Sequence, residues 1–267
     1  MTHKEFAAEY GVTTSGFIKF PPDKPLRSVL FDEVSLSHPA KANIYMIQEI
    51  YRYVADPGET ILDITAGIGT LMLAMLEGYN VQLIEIEEPF HNMQMLNAAK
   101  LGIEPLMLLG DCRDFLPIPC DHIIFSPPYS RTLNRPGKLT NVMKAVLKGD
   151  FYADAGDQSF FTYSSNPKNL GQLDSFMFGQ QMEKIYKLCL HSVRPGGSMT
   201  IIIQDFIRGG ERVMLGDLAV HQCKRMGWEL SDWFKRYQPG TVFKSIQRAK
   251  GFNTVDDEDI IMLRRPQ

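Results

Sequence analysis

Apolar residues recur along this chain in two alternating rhythms. Ile44, Ile47, Tyr51 and Val54 fall at helical spacing behind Ser37-His38-Pro39, and Pro57-Gly58 closes the segment. A serine cap followed by an early proline puts the helix start at Ser37. Ile61-Leu62-Asp63-Ile64 is short and apolar and predicts a buried strand, and Gly67-Ile68-Gly69-Thr70 predicts a tight turn into a helix over 71–76. Strands are expected over 81–86, 105–109, 122–125 and 199–204, with helices over 90–99, 178–193 and 215–226 between them. Arg194-Pro195-Gly196-Gly197 reads as a turn, Gly227 as a helix stop, and 229–234 and 260–263 as late strands. Residues 1–37 are mixed, with Pro21, Pro22 and Pro25 breaking any long element. Strands alternating with helices predict an α/β fold, a mostly parallel sheet with helices on both faces. In such a sheet ligands bind outside the carboxyl ends of the strands.

Residues 130–177 interrupt the alternation with turn residues and little periodicity. A stretch that long without its own elements is usually functional or disordered. It follows Ser126-Pro127-Pro128-Tyr129 directly, so it starts at the mouth of the expected site. The whole chain of 267 residues is therefore read as a single domain with 130–177 as an insertion.

Composition narrows the classes. Apolar residues are 44% and charged residues 22%, a globular balance that excludes a disordered chain or a disulfide scaffold. No apolar run is long enough for a membrane span, and the start lacks a basic-then-apolar leader, so a cytoplasmic protein is expected. A net charge of −3 excludes a uniformly basic coat for nucleic acid but leaves room for local patches. Cys112, Cys120, Cys189 and Cys223 form no C-x-x-C pair and the histidines do not cluster with them; free thiols and no metal site are expected.

Three constellations could carry chemistry. In Asp63-Ile64-Thr65-Ala66-Gly67-Ile68-Gly69-Thr70, glycines let a ligand approach the backbone. No Gly-Lys-Ser/Thr follows and the third glycine of a dinucleotide fingerprint is missing, so neither nucleotide motif fits. Acids stand at the next two strand ends, Glu85 with Glu87 and then Asp111 after Gly110. Such carboxylates can accept from ribose hydroxyls and from an adenine amine. Finally, Ser126-Pro127-Pro128-Tyr129 fixes the backbone with two prolines, leaving the Pro127 carbonyl, the Ser126 hydroxyl and the Tyr129 ring to face a substrate.

Together these residues resemble the S-adenosylmethionine-dependent DNA amino-methyltransferases of phage and prokaryotic type, which methylate exocyclic amines of cytosine, N(4), or adenine, N(6). The family's D-P-F-x-G-x-G-T is similar to Asp63–Thr70, and its [DNS]-P-P-[YF] matches Ser126–Tyr129. His38-Pro39-Ala40-Lys41 resembles the segment that closes over the methionine end of the cofactor. Val193-Arg194-Pro195-Gly196-Gly197 is similar to L-K-P-G-G, and Val255-Asp256-Asp257-Glu258-Asp259-Ile260 to V-D-H-E-D-V. The resemblance covers residues 36–265 and implies a Rossmann-like class I methyltransferase fold with a seven-stranded sheet. Ile64 and Thr65 replace the usual Pro-Phe, so the ring that often packs near the cofactor is absent, and Asp257 stands where relatives often have His.

The resemblance implies roles. Ser126, Pro127, Pro128 and Tyr129 would be catalytic. The S-adenosylmethionine set would be His38, Lys41, Asp63, Thr65, Gly67, Gly69, Thr70, Glu85, Glu87, Asp111 and Cys112, with Lys41 for the carboxylate, Glu85 ahead of Glu87 for ribose, and Asp111 for adenine. Double-stranded DNA would be the partner, its target base flipped out and stacked on Tyr129. Two basic runs contain no internal acid: Arg131, Arg135, Lys138, Lys144 and Lys148, then Lys235, Arg236, Lys244, Arg248 and Lys250. Both are expected to contact phosphates. Pro119-Cys120 is similar to the nucleophile motif of carbon-5 cytosine enzymes, but it precedes its strand where theirs follows, so no nucleophilic role is expected. Serine at the first motif position favours cytosine N(4). Adenine N(6), an RNA or small-molecule methyltransferase on the same fold, and a catalytically dead DNA-binding relative remain open.

Overall fold

The computed structural model describes residues 5–37, 41–128, 166–238, 246 and 248–267. The chain divides into two compact units, Met1–Pro127 with Met182–Gln267, and Pro128–Gln181. In the second, a 3-10 turn at Leu170–Gln172 and the beginning of a helix are described.

The first unit opens with the short helix α1 (Lys24–Leu30), consistent with prolines that break any long element over 1–37. Pro25 lies in its first turn, where a missing N–H costs nothing, so it starts the helix. A 3-10 turn, Glu33–Ser37, precedes α2 (Ile44–Val54). The cap of α2 is Asn43, not Ser37: its side chain accepts from the Met46 amide at 3.1 Å. Of the positions the spacing predicts, Ile44, Ile47 and Tyr51 are buried, joined by Met46 and Ile50, while Val54 is half-buried.

The sheet is built from β1 (Thr60–Asp63), β2 (Asn80–Glu85), β3 (Leu106–Leu109), β4 (Cys120–Phe125), β5 (Val193–Ile203), β8 (Glu229–Tyr237) and β9 (Asp257–Arg264). Between them lie a 3-10 helix (Thr70–Glu77), α3 (Glu88–Leu101), α4 (Cys112–Phe115), α5 (Ser175–Ser192) and α6 (Leu215–Met226). A two-stranded ribbon of β6 (Phe206–Arg208) and β7 (Glu211–Val213), which the apolar pattern did not predict, follows β5. The order is β3-β2-β1-β4-β5-β9-β8. β1 to β5 are parallel, and β9 runs antiparallel to both β5 and β8. Ile61, Leu62, Ile123, Ile124 and Phe125 are buried, as continuous apolar strands covered on both faces should be. Strand order reverses at β1, so the carboxyl ends of β1 and β4 flank the switch point where such sheets bind ligands.

Arg194-Pro195-Gly196-Gly197 is an irregular stretch inside β5 rather than a turn before it. Pairing jumps from Cys120↔Val193 to His122↔Ser198. A Cβ on Gly197 would stand 2.2 Å from the Asp121 carbonyl oxygen, so only glycine fits there. Among the described residues, no helix is long and apolar enough to cross a membrane, no group of side chains could hold a metal ion, and the four cysteines are free and buried.

Candidate functional site

The carboxyl edge of the sheet collects the expected acids. Asp63 ends β1, Glu85 ends β2, Gly110-Asp111 follows β3 and Ser126-Pro127 follows β4. The turn after β1 holds Gly67 and Gly69 at φ 54° and 79°, in the left-handed region. A Cβ at Gly69 would lie 2.5 Å from Met72 Cε and 3.2 Å from Gln94 Cγ.

Hydrogen bonds fasten this turn from several elements. The Thr65 amide donates to Asp63 Oδ1 at 3.0 Å, the Ala66 amide to the Ile84 carbonyl at 3.0 Å, and the Gly67 amide to Glu85 Oε2 at 2.7 Å. From α3, Gln94 Nε2 donates to the Gly67 carbonyl at 2.7 Å and Asn97 Nδ2 to that of Ile68 at 2.9 Å. Both side chains are fully buried. Sequence reasoning passed over them; their three-residue spacing on one face of α3, in place of apolar residues, was the available signal.

Glu85 is 6% exposed, and its other oxygen, Oε1, accepts the Glu87 amide at 2.9 Å. Burial above all pushes its carboxyl up to about 7, with the amides of Glu87 and Gly67 opposing. Desolvation likewise pushes Asp63 up to about 7 against the Thr65 amide, and Glu85 adds to the rise. Asp111 caps α4 and is engaged by Arg113: the Arg113 amide and Nε donate to Oδ1 at 2.9 and 2.8 Å, and Nη2 to Oδ2 at 2.5 Å. Arg113 was not anticipated, and an adenine amine reaching Asp111 has to share that carboxylate with it. Cys112 beside it is buried, which pushes its thiol up to about 12.

Arg27 is the largest omission of the sequence reading. It is 2% exposed; Nη1 donates to Thr70 Oγ1 at 3.2 Å, and Nη2 to Asp23 Oδ2 at 2.6 Å and to the Ala42 carbonyl at 2.5 Å. Its Nε is buried without a hydrogen-bond partner among the described residues. Lys41 Nζ donates to the Leu36 carbonyl at 2.9 Å, and burial, then Arg27, hold its pKa down. Two cations and Asp23 thus stand by the end of the glycine turn. The Asp23/Arg27 spacing of four was the signal for this helical ion pair.

Ser126 is half-buried. Its carbonyl accepts from Thr65 Oγ1 at 2.9 Å, while its hydroxyl has no hydrogen-bond partner among the described residues. Thr65 therefore reaches across to the β4 turn, where the sequence reading had set it facing the cofactor. Pro127 ends the first unit and Pro128 opens the second. His38, Tyr129, Arg131, Arg135, Lys138, Lys144 and Lys244 lie outside the described residues. Cys120 opens β4 at the far edge from Ser126, and burial, with Asp121, pushes its thiol up to about 12.

The β8–β9 register gives the start of the second basic run acidic partners. Lys235 lies opposite Asp259 and Arg236 opposite Glu258. Lys235 Nζ pairs with Asp257 at 2.8 Å and Asp259 at 2.6 Å, and Arg236, 9% exposed, pairs with Glu258 at 2.5 Å. Arg248 pairs with Asp256. The run is free of acid along the chain but not in space: Lys235 and Arg236 are held by β9 carboxylates, while Arg248 is paired but exposed. Asp257 also accepts from Arg212, which bridges to Asp205 at 2.8 Å and ties the β6–β7 ribbon to this edge.

No protein-family model and no curated protein sequence matches the chain. Solved structures do. A methyltransferase from Pyrococcus furiosus aligns with a TM-score of 0.54 at 12% identity, over 92% of this chain and 94% of its own. TrmN from Thermus thermophilus gives 0.52 at 14%, over 87% of this chain and 52% of its own, so the chain spans about half that protein's length. A SAM-dependent methyltransferase from Methanosarcina mazei gives 0.50 at 12%, over 81% and 97%. Strand order and these alignments agree: the chain has the Rossmann-like class I methyltransferase fold, a seven-stranded, mostly parallel sheet between helices.

Proposed function

We propose that this protein transfers a methyl group from S-adenosylmethionine to the exocyclic amine of a base in double-stranded DNA, with cytosine N(4) as the target. The reading rests on one observation above the rest. Ser126-Pro127, with a hydroxyl that has no partner among the described residues, leaves β4 beside the glycine turn that leaves β1, at the switch point of the sheet.

The residues fit the cofactor. At Gly69 the place of a Cβ is taken by Met72, Gln94 and Leu83, so only glycine lets the turn close on its own helix and offer its backbone to a ligand. Arg27 Nε is a buried donor without a partner among the described residues, and with Lys41 it suits a carboxylate. Glu85 suits a ribose diol, and Asp111 an adenine amine if Arg113 yields one of its hydrogen bonds. When bound, S-adenosylmethionine supplies a methyl group on a positively charged sulfur.

An exocyclic amine is a poor nucleophile because its lone pair is conjugated with the ring. The Ser126 hydroxyl accepts one amine hydrogen and the Pro127 carbonyl the other, which favours a pyramidal nitrogen with its lone pair localised. Holding that nitrogen in line supplies the remaining advantage. Within a duplex the base must leave the stack, and the resemblance gives Tyr129 the role of stacking on it. Arg131, Arg135, Lys138 and Lys144 remain the phosphate-binding residues of this reading, Lys235 and Arg236 having internal partners. Serine in the first motif position supports cytosine over adenine.

The test is incubation with unmethylated plasmid DNA and labelled S-adenosylmethionine, followed by digestion to nucleosides. N(4)-methyldeoxycytidine is expected. N(6)-methyldeoxyadenosine would move the target, label in RNA alone would replace the substrate, and no label in either would overturn the reading.

A further inference from the structure

Thr65 and Ser126 are 61 residues apart, yet one hydrogen bond joins the two turns that matter most at the carboxyl edge. We propose that Thr65 is a positioning residue whose hydroxyl, by donating to the Ser126 carbonyl, orients the Ser126–Pro127 peptide toward the substrate amine. This rests on the reading that Ser126 and Pro127 face that amine.

The β4 turn has few means of holding itself. Pro127 and Pro128 carry no N–H, so two backbone donors are missing where the chain leaves the strand. What remains is acceptance at its carbonyls. The Ser126 carbonyl and the Pro127 nitrogen share one peptide plane, so fixing the carbonyl fixes the proline ring. With φ of Pro127 locked by that ring, the direction of its own carbonyl depends on ψ alone. A single bond at Ser126 therefore governs most of the freedom of the next acceptor.

The donor is itself rigid. Thr65 is β-branched and stiff at χ1. Its amide is held by Asp63 Oδ1 at 3.0 Å, and the next amide, of Ala66, by the Ile84 carbonyl at 3.0 Å. The Gly67 amide is held by Glu85 at 2.7 Å. Hydrogen bonds thus run from β1 and β2 through the glycine turn to the β4 turn. The wall of the proposed cofactor site and the proposed amine acceptors are one hydrogen-bonded unit, and Thr65 is the link between them.

Thr65→Val keeps the shape and removes the donor, and Thr65→Ser keeps the donor and removes the methyl. In Thr65→Val, kcat should fall roughly 10- to 100-fold, the scale of a small misplacement of reacting groups. KM for DNA and the dissociation constant of S-adenosylhomocysteine should stay within about threefold, and Thr65→Ser should restore kcat to within about threefold. Independently of activity, carbon-13 spectra of proline-labelled protein without ligands should show displaced Pro127 and Pro128 resonances in Thr65→Val and unmoved ones in Thr65→Ser. Full kcat in a folded Thr65→Val protein would overturn the proposal, as would equal loss in both variants. Cofactor affinity falling in step with kcat would place Thr65 in the cofactor site instead. A wild-type protein that methylates no nucleic acid would overturn the underlying reading and this role with it, whereas unmoved proline resonances would overturn the positioning alone.

Discussion

The affinity for S-adenosylhomocysteine should rise between pH 6 and pH 8. Burial pushes the Glu85 carboxyl up to about 7, and desolvation brings Asp63 to about 7 as well. A ribose diol donates hydrogen bonds, and an ionised carboxylate accepts on both oxygens where the neutral acid also needs an acceptor for its own proton. A group with its pKa near 7 goes from about one-tenth ionised at pH 6 to about nine-tenths at pH 8. Binding that requires ionised Glu85 then tightens roughly ninefold, about 1.3 kcal/mol. Participation of Asp63 would steepen the change. Stability of the unliganded protein should move the opposite way. Both carboxyls have folded values raised above their ordinary 4.5 and 3.8. The native state therefore keeps protons that the unfolded chain has released, and stability falls as pH rises from about 4 to about 7 and then levels. Titration calorimetry at three pH values, in buffers of differing ionisation enthalpy, measures affinity and proton release together. Glu85→Gln should bind more weakly and lose most of the pH dependence. Flat wild-type affinity from pH 6 to pH 8, or an unchanged pH profile in Glu85→Gln, would refute the reasoning.

Ser126→Ala should lower the single-turnover rate by roughly 2–4 kcal/mol, the worth of one positioned group at a reacting centre, with cofactor binding intact; an unchanged rate would remove the serine from catalysis. Arg27→Met leaves Asp23 without its cation, with the Ile44 amide as its remaining donor, and the Ala42 carbonyl without the guanidinium, so urea unfolding should show a loss of about 3–5 kcal/mol, and a loss below about 1 kcal/mol would mean the buried guanidinium is not a clamp. Neutralising Arg131, Arg135 and Lys138 together should lower the slope of log affinity against log salt by up to nearly 3, about 0.9 for each phosphate that goes unneutralised, without changing cofactor affinity. An unaltered slope would move the DNA surface elsewhere.

Much of this architecture is readable along the chain. Ile61-Leu62, Leu83-Ile84 and Ile123-Ile124-Phe125 are apolar because both faces of the sheet are covered, and that marks them as inner strands. Gly67, Gly69 and Gly227 stand where left-handed backbone is needed, so turns and helix stops could be placed. Once strands alternate with helices, the carboxyl edge is the site edge, and Asp63, Glu85, Asp111 and Ser126 follow from their places at strand ends.

Partnership was not readable in that way. The Lys235–Arg236 run looked like an exposed basic face because its acids lie some twenty residues further on, and only the antiparallel register of β8 and β9 sets Lys235 against Asp259 and Arg236 against Glu258. Arg27 sat among prolines that looked like breakers, and its role appears only when α1 packs beside Thr70. Thr65 carries no local mark of its bond to Ser126, since sheet topology alone brings the ends of β1 and β4 together. Local periodicity and backbone stereochemistry, which act over a few residues, determined the elements and the edge of the sheet that bears the site. Long-range pairing decided which polar groups there are already satisfied, because the free energy of a buried charge depends on partners the chain meets only after it has folded.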